Sequence, residues 1–372
     1  MISTSVPGSS AETPACVTGM LRTELEAWCA AHSLPVYRAR QLWRWLYRRH
    51  ADAYAQMSDI PAGLRAELAA RLPLNCTRVQ TTHRSGDGTE KRLVALSDGA
   101  AIETVWIPMG AHATVCVSTQ IGCPIQCAFC ASGADGITRN LSTAEIVEQV
   151  WHAGCAHPRS DINNLVFMGS GEPLLNYAAL LRAIAILNDE HGLCLGARRM
   201  TISTVGVPAG IRRLASDAPQ VNLAVSLHAA TDALRARLIA HCPSRLDALM
   251  ESLRAYYQAT RRRVTFEYVL LRGVNDGLRD AARLCTLIAA VPCKVNVIAY
   301  NPVPGAAFQP PLPTTVQNFV EYLCARKITA IARRRKGDDI AAACGQLRRR
   351  HAATDAAPAV CAQDQTTLNP TD

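Results

Sequence analysis

The 372-residue chain holds no stretch of the roughly 18 to 20 uncharged apolar residues that a membrane-spanning helix requires, so no membrane span is expected. Its first twenty residues contain no Lys or Arg and are rich in Ser, Thr, Pro and Gly. They lack the charged and apolar regions of a secretory signal, and residues 1–20 are read as a loose tail on a cytoplasmic protein. No internal repeat is evident, which excludes a solenoid. What is present is ordinary for a folded enzyme: 49% of the residues are apolar and 19% charged. Fifteen cysteines, an odd number with no export signal, argue against a secreted disulfide framework. Cys29, Cys155, Cys194, Cys242, Cys285, Cys293 and Cys324 lie singly in or beside apolar stretches and read as small core fillers.

A net charge of +9 is weak evidence for a polyanionic partner, so the clusters matter more. Arg38, Arg40, Arg44, Arg48 and Arg49 interleave with Tyr37, Trp43, Trp45 and Tyr47; Arg261–Arg263 form a run; Arg333, Arg334, Arg335 and Lys336 precede Arg348–Arg350. Any one of these would serve as a solvated helix face, whereas together they favour a nucleic acid partner.

From Leu21 to about Leu72 the periodicity is helical, broken into three segments by Pro35 and Pro61. Residues 78–107 show strand-like runs around the turn Ser85-Gly86-Asp87-Gly88. A boundary near residue 100 follows, giving an accessory module over 21–100. Beyond it, apolar β-branched runs at 114–118, 165–168, 200–204, 223–227, 264–271 and 294–299 alternate with helical stretches. That alternation predicts an α/β fold, a partial (βα)6 barrel over 101–345 with a basic and then disordered tail over 346–372. In such barrels the chemistry gathers at the C-terminal ends of the strands.

Directly after the first of these strands comes Cys123-Pro-Ile-Gln-Cys127-Ala-Phe-Cys130, three thiols in one loop. Three thiolates can hold three corners of an iron–sulfur cluster and leave one iron open. A zinc site competes, although no fourth Cys or His follows at the usual short spacing. The C-x3-C-x2-C spacing resembles the signature of the radical S-adenosylmethionine superfamily. From about Leu34 to Leu347 the chain further resembles the RlmN/Cfr family of RNA adenosine methyltransferases. The matching segments are Tyr37-Arg-Ala-Arg-Gln-Leu-Trp43, Val115-Cys116-Val117-Ser118, Gly169-Ser-Gly-Glu-Pro-Leu-Leu-Asn176, Glu267-Tyr268-Val269 and Gly337-Asp-Asp-Ile-Ala-Ala-Ala-Cys-Gly-Gln346. Ser170, Val205 and the run Arg-Arg-Arg-Lys before Gly337 depart from the commonest family pattern.

The resemblance implies a [4Fe-4S] cluster on Cys123, Cys127 and Cys130, and two S-adenosylmethionine molecules per turnover. It implies cofactor binding by Gly171, Glu172, Ser203, Ser226, Leu227, His228 and Asn301, each of which would otherwise pass for a core or turn residue. It gives Cys344 the role of methyl carrier and Cys116 that of its disulfide partner in turnover. Glu103 occupies the position of a proton acceptor, though a Glu on a strand is ordinarily an outward-facing charge; the base is Glu103 or Cys116. The implied reaction is methylation at C2 of an adenosine in the peptidyl-transferase region of 23S rRNA, with tRNA as a second candidate substrate. C8 methylation and a non-enzymatic metal-stabilised RNA-binding protein are the alternatives. A flavodoxin or ferredoxin is the expected electron donor, since such clusters work near ~−400 mV.

Overall fold

The computed structural model describes residues 16–158, 161–303, 305–347 and 350–351. The helical module comprises α1 (Arg22–Ala31), α2 (Tyr37–Arg48) and α3 (Ala62–Arg71), with Pro35 ahead of α2 and Pro61 capping α3. Leu42, Trp43, Leu46 and Tyr47 bury the inner face of α2, while Arg44 on its outer face pairs with Asp59 at 2.5 Å. The aromatic residues interleaved with arginine are therefore mostly core, Tyr37 alone among them being exposed.

The loose tail expected through residue 20 is corrected from Cys16 onward. Cys16–Met20 are buried because the backbone of this segment finds partners: Val17 N donates to Pro73 O at 2.9 Å and Thr18 N to Leu74 O at 3.1 Å. Residues 1–15 lie outside the described residues.

Four antiparallel strands follow, β1 (Arg78–Arg84), β2 (Glu90–Ala95), β3 (Ala100–Met109) and β4 (His112–Cys116). A short hairpin, β5 (Gln120–Gly122) and β6 (Ile137–Asn140), brackets the three-cysteine loop. The chain then alternates through α4 (Thr143–Ala156), β7 (Asp161–Phe167), α5 (Tyr177–Asn188), β8 (Met200–Thr204), α6 (Pro208–Asp217), β9 (Asn222–Ser226), α7 (Asp232–Leu238), α8 (Leu246–Thr260), β10 (Val264–Leu270), α9 (Leu278–Ile288), β11 (Cys293–Ala299), α10 (Pro313–Ala325) and β12 (Thr329–Ala332). The sheet order is β1-β2-β3-β4-β7-β8-β9-β10-β11-β12, parallel from β4 onward. All six expected strands of the partial barrel are present, and β12 adds a seventh parallel strand.

The sheet runs unbroken through residue 100, so the accessory strands extend the barrel wall. Period-two alternation sets the wall's two faces. In β8, Met200, Ile202 and Thr204 are buried while Thr201 and Ser203 are half-buried toward the hollow. Ser226, Glu267 and Asn296 occupy the same inward register on β9, β10 and β11.

Two further expectations change. Cys194, at a left-handed turn (φ 55°), and Cys324 on α10 are exposed, so neither fills the core. The tail expected to be disordered from 346 is ordered at its start. Leu347 packs against Val105 and Cys116, and β13 (Arg350–His351) pairs antiparallel with β3, which otherwise would lack a partner at that end. Residues 352–372 lie outside the described residues.

Candidate active site

The cysteine loop is held from four sides. Cys123 N donates to Gly136 O at 2.9 Å across the β5–β6 hairpin, Ala128 N to Leu238 O at 2.9 Å, and His241 N to Ile125 O at 3.1 Å. Ala131 N donates to Gly345 O at 2.7 Å, tying the loop to the residue after Cys344. Gly122 is required here: its φ is +76°, and a Cβ would stand 2.0 Å from Gly136 O. Cys123, Cys127 and Cys130 are half-buried and line one cleft. Burial pushes all three thiols up, Cys123 to about 12, so a bound metal rather than water must stabilise their thiolates. Among the described residues the one trio of metal-ligating groups with ligand atoms all within 4.8 Å of one another lies elsewhere. The wider spacing of the loop's thiols suits a multi-iron cluster better than a single ion.

The cleft, about 910 Å³ with its open mouth, sits at the C-terminal ends of the parallel strands. It gathers the three cysteines with Gly171, Glu172, Ser203, Ser226, His228, Asn301 and Cys344. Gly171 (φ +109°) passes so close to Gln120 that a Cβ would lie 2.7 Å from its side chain. Glu172 is 2% exposed, and its carboxylate accepts from Leu174 N at 3.1 Å and Val205 N at 2.9 Å. Burial raises its pKa to about 7, so an ammonium group brought beside it would find a carboxyl poised to ionise. Val205 contributes its backbone N–H, which its departure from the family pattern leaves intact; Ser170 Oγ donates to Gly122 O at 3.1 Å, bracing the loop.

Ser203 and Ser226 place their hydroxyls 3.3 Å apart. His228 is buried with φ 57°, its ring edge-on to Phe129, and its Nδ1 accepts from Val269 N at 3.1 Å. The ring is therefore neutral, with its proton on Nε2, and burial lowers its pKa to about 3. Asn301 donates from Nδ2 to Cys344 O at 3.1 Å, while its Oδ1 is buried with no protein partner, an acceptor aimed at a missing donor. The residues present thus fit both the cluster and the amino acid end of S-adenosylmethionine. Leu227 is the exception. It follows Ser226 on the opposite face, its side chain is fully buried in the core and its N–H donates to Glu267 O, so it does not line the cleft.

Cys344 is exposed and also lines an adjoining cavity with Cys116, Met168, Arg333 and Leu347. Cys116 is buried, its thiol raised to about 12 by burial and by Cys344, with Arg333 opposing. Arg333 joins the two cavities and lies 3.9 Å from Glu267, whose Oε1 accepts from Asn296. Sequence reasoning grouped Arg333 with a surface run; it faces the thiols instead. Its neighbours turn outward, Arg335 onto Asp338 and Lys336 onto Asp87. Glu103 is 3% exposed and ion-paired to Lys91 at 3.1 Å, so its reading as an outward-facing charge is corrected: β2 and the loop before Cys344 cover it. Lys91 also donates to Ala341 O at 3.2 Å, and Glu103 lines neither cavity.

A three-thiol loop at the mouth of a partial parallel barrel, beside a buried carboxylate and an unpartnered amide, defines the radical S-adenosylmethionine enzyme class. The radical SAM superfamily model matches residues 117–285, and the model of the ribosomal RNA large subunit methyltransferase N-terminal domain matches residues 17–73. A dual-specificity RNA methyltransferase RlmN of Nitratidesulfovibrio vulgaris is 43% identical over 87% of this chain and 92% of its own. A probable dual-specificity RNA methyltransferase RlmN of Thermosynechococcus vestitus is 46% identical over 89% and 97%. The crystal structure of a radical SAM methyltransferase from Sphaerobacter thermophilus superposes with a TM-score of 0.87 at 44% identity, covering 90% of this chain and 99% of that one. The chain belongs to the RlmN family of radical S-adenosylmethionine methyltransferases, whose superfamily carries a [4Fe-4S] cluster and S-adenosylmethionine.

Proposed function

We propose that this chain methylates C2 of an adenosine in the peptidyl-transferase region of 23S rRNA, and an adenosine of tRNA as its second substrate. The observation that carries the reading is the seating of Cys344: its turn is hydrogen-bonded to the cysteine loop through Gly345, and it opens onto both the cofactor cleft and the cavity holding Cys116. The relatives' names, dual-specificity RNA methyltransferases, support RNA as the substrate.

Carbon 2 of adenine is electron-poor and cannot displace a methyl group from a sulfonium, whereas a thiolate can. Cys344 is the thiol for that task, exposed and beside the Arg333 guanidinium, which favours its anionic form. When bound, the cluster at Cys123, Cys127 and Cys130 supplies an electron and S-adenosylmethionine, two molecules per turnover, supplies the methyl group and the radical initiator. Cys344 then carries the methyl carbon to the base and remains joined to it until Cys116 attacks the Cys344 sulfur, closing a transient disulfide and freeing the product. Cys116 shares that cavity, so the disulfide needs a local movement of the Cys344 turn. The proton leaving the base goes to Cys116 or to the Glu103–Lys91 pair behind it. Glu172, Gly171, Ser203, Ser226, His228 and Asn301 hold the cofactor, and residues 21–100 with the basic clusters grip the RNA backbone. A flavodoxin or ferredoxin of the cytoplasm returns the electrons.

Nucleoside mass spectrometry on 23S rRNA and tRNA from methylation-deficient cells expressing the protein tests this. The expected product is 2-methyladenosine in both; 8-methyladenosine would transfer the chain to C8 chemistry, and neither product would refute the assigned substrates.

A further inference from the structure

Cys16 and Cys76, two cysteines outside the catalytic loop, meet Glu148 in the interior. Cys16 precedes the first buried turn, Cys76 lies in the link between α3 and β1, and Glu148 stands midway along α4. Their ligand atoms all lie within 4.8 Å of one another, and Cys16 and Glu148 are fully buried. We infer that Cys16, Cys76 and Glu148 form a second metal site, binding one zinc-class divalent cation that fastens the N-terminal segment and the α3–β1 link to α4.

Three observations support this. The first is spacing. Tetrahedral zinc with Zn–S near ~2.3 Å and Zn–O near ~2.1 Å sets its sulfur and oxygen ligands roughly 3.6 Å apart. The Cys16 Sγ to Glu148 Oε1 separation is 3.5 Å. The second is charge. Glu148 lies in the interior, and the hydrogen-bond donors that reach it are all neutral: the Cys16 thiol, the Thr18 hydroxyl, Cys76 N at 2.8 Å, and Thr77 through its N at 2.7 Å and its hydroxyl. Two thiolates and a carboxylate around a dication would be close to neutral as a unit, whereas a buried carboxylate beside neutral donors alone is costly.

The third is the surrounding shell. Thr77 holds Glu148 Oε2 from backbone and side chain, leaving Oε1 turned to Cys16, as a metal-bound carboxylate is usually oriented. His152 sits one turn along α4 on the same face, its Nε2 2.9 Å from the Thr77 hydroxyl, near enough to complete the shell directly or through water. Two sulfurs select zinc over magnesium or calcium. The ion on this site would release its thiol protons to solvent and leave the redox state of both cysteines unchanged.

The test is metal analysis of the anaerobically purified holoenzyme, grown with iron and zinc supplied, by inductively coupled plasma mass spectrometry. Wild type is compared with the Cys16→Ser/Cys76→Ser double variant and with Glu148→Gln, which keeps the side chain's shape should the double variant fail to fold. The expected result is one zinc per chain beyond the cluster iron, lost in the double variant and weakened at least tenfold in Glu148→Gln, with iron unchanged in both. Zinc at background in wild type, zinc undiminished in the variants, or a Cys16–Cys76 disulfide in its place would overturn the assignment.

Discussion

His228 shows how much a single residue's surroundings add to its letter in the sequence. Its place after the fourth barrel strand is readable as a site position, yet its protonation state is set by Val269 N, Phe129 and burial, none adjacent in the chain. Its folded pKa of about 3 lies below the ~6.5 of a free ring. Between those values the unfolded chain binds a proton that the folded chain does not, so the stability this ring contributes is complete above about pH 6.5 and is lost as pH falls toward 3. Denaturant unfolding at pH 7 and pH 5 should show wild type losing about 2 kcal/mol more than His228→Asn, a variant whose side chain tolerates the left-handed backbone. Equal losses would mean the ring is charged in the folded protein. Other residues were less legible for similar reasons. Leu227 differs from Ser226 only by strand alternation, Arg333 from Arg334 only by the direction of a side chain, and Glu103 is covered by β2 and a loop some 240 positions away. Cys16 and Cys76 stood alone in sequence, and only folding brings them to Glu148.

At the scale of elements, the parallel strands were legible because each is a β-branched run bounded by helical periodicity. The β5–β6 hairpin was not, because three- and four-residue strands fall below any readable period. That hairpin nonetheless decides whether the cysteine loop has one shape. Gly122 allows β5 to turn into the loop with a Cβ position that Gly136 O already occupies. Gly122→Ala should therefore displace Cys123, whose N–H bonds to the same carbonyl, and reduce cluster iron per chain to less than half of wild type while the barrel stays folded. Iron analysis beside far-ultraviolet circular dichroism reads both; full iron loading in a folded variant would show that the loop does not need this turn. The segment at 341–347 behaves as an element too. It has no long helix or strand, but Asn301, Ala131, Ser132 and Lys91 all bond its backbone, which fixes Cys344 at the cleft mouth.

Across the whole molecule, one sheet joins the accessory strands to the barrel, and the N-terminal segment is tied to α4, so the module and the barrel share a wall. No helix among the described residues is long and apolar enough to cross a membrane. The architecture brings the two thiols of β4 and the C-terminal turn together beside the three of the cysteine loop, although 228 positions separate Cys116 from Cys344. This convergence is the physical content of the proposed reaction: one thiol to carry a methyl group, one to release it, and a cluster site adjoining both. The most direct measurement is peptide mass spectrometry of the reconstituted protein after anaerobic incubation with S-adenosylmethionine bearing a deuterated methyl group, before RNA is added. The account predicts the labelled methyl group on Cys344 and its absence from a Cys344→Ala variant that retains its cluster iron. An unlabelled Cys344 in a protein that still transfers labelled methyl to RNA would contradict it.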